Sequence, residues 1–228
     1  MTSNPLPTYT QLAANFDAEH LALSVHEAEP ERAIVRKYSQ LVKQASPVYV
    51  LEFAQALLFT YGHRWQAYEV IAAHKEAFKS LDTAKLEQLG QGIDNWWATD
   101  SFARTLSGPA WKAGLISDEL IAGWAVLPDL WWRRAALVST VAFNVRSLGG
   151  VGDVPRTLAI CRMLAADHED MVVKALSWAL RELVPFDPQA VEDFLKEYDA
   201  VLAGRVKREA GTKLHIGLKN PRKITISR

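Results

Sequence analysis

Six of the eight tryptophans in this 228-residue chain lie between Trp96 and Trp132, in company with Asp100, Arg133 and Arg134. On a helix, Asp94-Asn95-Trp96-Trp97-Ala98-Thr99-Asp100 sets Trp96 and Asp100 one turn apart on one face. Trp97 then points elsewhere, toward a core. In Leu130-Trp131-Trp132-Arg133-Arg134-Ala135-Ala136 the same kind of spacing pairs Trp131 with Arg134. In Lys174-Ala175-Leu176-Ser177-Trp178-Ala179-Leu180-Arg181-Glu182 it pairs Trp178 with Arg181. Three separate helices thus each offer a polar or charged group beside an indole. A carboxylate and electron-rich indole faces suit chemistry in which positive charge develops, each indole contributing about 0.5–2 kcal/mol by the cation–π effect. Taken singly, Trp96 and Trp178 read as core residues, Asp100 as a solvated or capping acid, and Arg134 as a surface cation or the partner of a nearby acid.

The remaining candidates are weaker. Gly149-Gly150-Val151-Gly152 lacks the Lys-Ser/Thr ending of a phosphate-binding loop and reads as a hinge or loop. The six histidines show no metal-ligand spacing, and the single cysteine, Cys161, sits in an apolar helical pattern as a packing residue, so neither metal nor cofactor is expected. No Ser-His-Asp arrangement is assignable from sequence alone.

The elements that must hold these residues are helices. Apolar residues recur at helical spacing almost throughout, as in Ile34, Tyr38, Leu41 and Val42 or Val191, Phe194, Leu195 and Tyr198, and period-two strand patterns are scarce. Punctuation falls every ten to twenty residues, at Pro47, Gly62, Ser80-Leu81-Asp82, Gly92, Gly108-Pro109, Ser117, Pro128, Gly149-Gly150, Pro185 and Asp187-Pro188. Asp187-Pro188 joins an N-cap residue to proline at the first helical position, a specific start signal. About ten to twelve short helices follow. Pairs joined by short connections stack most simply into an α-solenoid of HEAT-like repeats, with a compact helical bundle as the alternative.

Length allows one domain or one continuous repeat array over 1–228. Apolar residues make up 49% and charged residues 23%, a balance that excludes extensive disorder. The start of the chain has no basic segment followed by an apolar one, and the apolar stretches are too short to span a bilayer, so a cytoplasmic protein without a membrane partner is expected. The net charge of zero argues at first against a nucleic-acid partner. It conceals an asymmetry. From Val201 onward eight Lys or Arg face the single acid Glu209, a net +7 on a body of −7, with a basic tail from about 211 to 228. Such an end is either a solvated tail or a polyanion-binding arm.

The segments Asn95-Trp96-Trp97-Ala98-Thr99-Asp100, Trp131 to Ala136, Lys174 to Glu182 and Arg208-Glu209-Ala210 together resemble the bacterial AlkD-type alkylpurine DNA glycosylases. They stand in that family's order and at about its spacing. The likeness runs from about Leu89 to Ala210; the first ninety or so residues agree in helical character and length. The resemblance implies a stack of HEAT-like helix pairs whose concave face grips duplex DNA. It further implies an active-site aspartate at Asp100, flanking tryptophans at Trp96 and Trp178, and a phosphate-contacting arginine at Arg134. Arg181 matches a further basic position near DNA, and Arg133, Lys174 and Arg208 are additional candidate contacts. Ser177 stands where the family leads one to expect glycine.

What the resemblance implies is chemically coherent. A purine alkylated at N3 or N7 is cationic, so its departure as a neutral base leaves oxocarbenium-like charge on the sugar, which an ionised Asp100 would stabilise while orienting water. The base already carries its own activation, so no general acid is required. The expected protein is therefore a monomeric glycosylase of the bacterial cytoplasm acting on 3-methyladenine and 7-methylguanine in duplex DNA. A non-catalytic relative binding bent or branched DNA, and a helical-repeat scaffold for protein partners, stand as alternatives.

Overall fold

The computed structural model describes residues 6–24 and 27–219, apart from the side chain of Leu148. The regular structure among the described residues is all helical, with no strand, in keeping with the all-helical repeat architecture expected. Contacts divide the chain into two compact units, one ending at Gly92 and one beginning at Ile93.

The first unit holds α1 (Tyr9–Leu21), α2 (Ala28–Leu41), α3 (Pro47–Phe59), α4 (Arg64–Ala73), α5 (Lys75–Lys79) and α6 (Thr83–Gly90). Its helix starts are written locally. Thr8 and Gln11 form a reciprocal capping box, and Ser46 caps α3 with Pro47 at the first turn. Helix α1 packs on α2 and α3, and α4 on α2 and α3, around Phe16, Tyr38, Phe53, Leu57 and Ile71. Two polar groups at this core are paired, Tyr38 with Glu19 at 3.0 Å and His63 with Asp17 at 2.8 Å.

The second unit begins with α7 (Trp96–Phe102), a π-helical turn (Ala103–Ser107) and α8 (Gly108–Lys112), which run on without a break. It continues with α9 (Asp118–Ala125), α10 (Leu130–Ser139), α11 (Val141–Asn144), a 3₁₀ turn (Arg146–Leu148), α12 (Val154–Met163), α13 (Asp170–Leu183), α14 (Pro188–Glu197) and α15 (Gly204–Ile216). Asp187 caps α14 as its Asp-Pro start signal predicted. Helix α10 lies against α7, α9, α12 and α13, and α13 also packs on α15. The π turn marks a close approach. Pro109 has no N–H to give, and the Gly108 N–H reaches back five residues to Ala103. A Cβ on Gly108 would stand 2.6 Å from the Ser139 carbonyl oxygen, so only glycine lets this turn touch α10. Beside it the buried hydroxyls of Ser107 and Ser139 meet at 2.7 Å.

Gly149-Gly150-Val151-Gly152 is a packed connection. Gly149 takes a left-handed conformation, and a Cβ on Gly150 would lie 2.6 Å from the Phe143 carbonyl oxygen. Cys161 is buried, as the packing reading required, and burial pushes its thiol far above its ordinary range. No described helix is long and apolar enough to cross a membrane. Of the basic tail, residues 220–228 lie outside the described residues.

Candidate functional site

Four helices of the second unit meet at a cleft of about 390 Å³, lined by Trp96 and Asp100 from α7, Arg134 from α10, Met171, Lys174, Trp178 and Arg181 from α13, Arg205 from α15, and Lys219. Asn95 fixes the start of α7, because its side chain accepts a hydrogen bond from the Ala98 N–H at 2.9 Å. Asp129 does the same for α10 through the Trp131 N–H. With both starts set, Trp96 and Asp100 share the cleft face of α7, and Arg134 arrives opposite them.

The centre of the cleft is an ion pair. Arg134 donates from Nε to Asp100 Oδ1 at 2.9 Å and from Nη2 to Oδ2 at 2.8 Å, while Nη1 donates to the Met171 carbonyl at 2.5 Å. The Arg134 side chain is 6% exposed and that of Asp100 16%. Three guanidinium nitrogens are thus engaged inside the protein. The sequence reading assigned Arg134 to a phosphate; the structure sets it against Asp100. Burial pushes the Asp100 carboxyl above its ordinary value, and the Arg134 hydrogen bonds and charge, with Arg104 nearby, pull it back. A carboxylate offers about four lone-pair sites, and Arg134 engages one on each Asp100 oxygen.

The two indoles differ in their surroundings. Trp96 is 52% exposed, unlike the core residue that its type alone suggests. Trp178 is half-buried, its Nε1–H donating to Glu182 at 3.0 Å, and the Arg104 guanidinium lies over its ring, 5.7 Å from the centroid. Trp97, expected in the core, is instead 57% exposed and meets Trp96 edge-on at 5.7 Å. It stands at the second position of α7, where no preceding turn covers it. The other tryptophans of the cluster mostly build the core: Trp111 and Trp124 are buried, and Trp124 packs against Trp132 and Phe102.

The basic candidates divide. Arg181 lines the cleft; burial holds its guanidinium below its ordinary value, against the pull of Glu209 and Glu182. Lys174 also lines it, paired with Asp170 at 2.6 Å. Arg133 turns away, with Nε on Asp167 at 2.8 Å and Nη1 on the carbonyls of Leu127 and Pro128. Arg208 is exposed and outside the cleft lining. Its neighbour Glu209 is the residue of that motif that reaches the site, through Arg181 and Lys219. Arg104, Arg205, Lys219 and Glu209 were passed over as site residues. Arg104 was within reach, since Asp100 and Arg104 are one turn apart in sequence.

Five cations against one acid in the lining make the cleft locally basic although the chain is neutral, with Asp170 and Glu209 behind them as partial counter-charges. Among the described residues no group of three or more His, Cys, Asp or Glu gathers to hold a metal ion.

No curated protein matches the chain. A family model described as DNA alkylation repair enzyme matches residues 11–214, which takes in most of the first unit and every cleft residue except Lys219.

Proposed function

Because the chain belongs to the DNA alkylation repair enzyme family, whose role is enzymatic repair and whose partner is DNA, we propose that it is an alkylpurine DNA glycosylase. The substrates are N3- and N7-alkylpurines such as 3-methyladenine and 7-methylguanine in duplex DNA, and the protein works as a monomer in the bacterial cytoplasm. One observation carries the reading. An aspartate held through both oxygens by an arginine lines a basic cleft together with an exposed and a half-buried indole.

The reaction follows from these groups. As the bond from C1′ to the purine nitrogen breaks, its electron pair enters the ring and cancels the positive charge of the alkylated base. Positive character passes to the sugar, where the Asp100 carboxylate and the faces of Trp96 and Trp178 stabilise it. Water oriented by Asp100 adds to C1′, and its surplus proton leaves to the carboxylate or to solvent. Arg134 holds the carboxylate in one orientation, and Lys174, Arg181, Arg205 and Lys219 offer charge to the phosphate backbone.

The engagement of both Asp100 oxygens by Arg134 favours a second reading, a DNA-binding relative without catalysis, because a neutralised carboxylate supports a sugar cation less well. Incubation of the protein with methylated duplex DNA decides between them. Release of free 7-methylguanine above the spontaneous background supports the glycosylase; duplex binding without release supports the second reading.

A further inference from the structure

Behind the cleft cations lies a buried acid that the proposed chemistry does not use. Glu209, on α15, is 7% exposed, and its Oε2 accepts a hydrogen bond from the Ser177 hydroxyl of α13 at 2.7 Å. Ser177 is fully buried one turn before Arg181, and the same hydroxyl accepts from Arg181 Nε at 3.3 Å. Glu209 Oε2 also stands 3.7 Å from Arg181 Nε and 3.8 Å from Lys219 Nζ. One carboxylate oxygen thus draws a hydroxyl and two cleft cations together. A buried carboxylate is costly unless such partners surround it, and here they come from α13 and from the residues after α15.

We propose that Glu209 and Ser177 are positioning residues for DNA binding: they aim the free edge of the Arg181 guanidinium, and with it Lys219, at a backbone phosphate of the duplex. This rests on the DNA-binding part of the reading above. The geometry supports it, because Ser177 and Glu209 meet the guanidinium at Nε, on a side chain that also lines the cleft. A planar guanidinium fixed in this way loses little freedom when it takes a phosphate.

The sign of one substitution separates positioning from bulk charge. Removing an acid beside a DNA-binding cleft tightens DNA binding if only net charge matters. Positioning predicts the reverse. Equilibrium binding of the full chain to an unmodified duplex, titrated across salt, is compared for wild type, Glu209→Gln, Arg181→Ala and the double variant. Arg181→Ala should make the slope of log K against log salt shallower by about one. Glu209→Gln should weaken binding about fivefold, and Arg181→Ala should add little in that background, a coupling that independent residues do not show. Ser177→Ala, which removes only a hydroxyl, should move affinity in the same direction and is the test if Glu209→Gln does not fold. Tighter binding by Glu209→Gln, or an undiminished Arg181→Ala effect in the double variant, overturns the inference. Wild-type protein that binds duplex but releases no base overturns the glycosylase reading and leaves this result readable.

Discussion

Arg134 and Asp100, 34 residues apart on α10 and α7, meet as a bidentate pair at 2.8 and 2.9 Å with little of either side chain reaching solvent. The pair orients the one acid in the cleft lining and opposes the upward pull of burial on its carboxyl. It also joins the helix that carries Trp96 to the helix beside α13.

Arg134→Ala is therefore expected to act first on stability. It leaves a largely buried carboxylate without its partner, a loss of about 3–5 kcal/mol, or roughly 10 °C in melting temperature for a chain of this size. Thermal unfolding followed by circular dichroism checks this. An unchanged melting temperature with a salt slope shallower by about one would instead make Arg134 a plain phosphate contact.

The pH dependence of base release follows from the raised Asp100 carboxyl. The ionised form is the active one, so activity is full above its pKa and falls as pH drops through it. Because burial raises that pKa, the fall begins at a higher pH than for an exposed aspartate. Arg104 pulls the other way, so Arg104→Gln should move the acid limb to still higher pH. Single-turnover rates across a pH series, with acid-catalysed depurination subtracted, provide the measurement. An acid limb that Arg104→Gln leaves unmoved would remove Arg104 from the electrostatics of the site.

Two helical glycines should respond oppositely to the same change. Gly108→Ala forces a methyl against the Ser139 carbonyl and the Ala103 carbonyl, and should cost about 1–3 kcal/mol while disturbing the π turn after Asp100. Gly123→Ala in α9 meets open space and should stabilise by up to about 1 kcal/mol. Denaturant midpoints of the two variants should bracket that of wild type. Equal destabilisation by both would contradict the packing of the π turn on α10.

Much of this was legible in the sequence because helical periodicity and caps are local. Asp187-Pro188 marks the start of α14, and the spacing from Trp96 to Asp100 puts both on the cleft face of α7. What joins distant helices was not. The Asp100 and Arg134 pair depends on how α7 and α10 pack, which no local pattern states, and a search for phosphate contacts favours the cation over its acid partner. The same preference for cations singled out Arg208, which is exposed, over the buried Glu209 beside it. Trp97 was assigned to a core because it leaves the Asp100 face, but the first turn of α7 has no neighbour there to cover it.

The central claim is that the negative charge of Asp100 drives base release, and Asp100→Asn tests it most directly. Asparagine keeps the shape and one acceptor oxygen but loses the charge that faces a developing sugar cation. Preorganised groups of this kind supply about 2.7–4 kcal/mol, so single-turnover release of 7-methylguanine, with protein saturating over methylated duplex, should slow about 100- to 1000-fold. DNA binding should persist or tighten, since an acid near phosphates has been removed. A wild-type protein whose rate of base release is matched by Asp100→Asn would contradict the account.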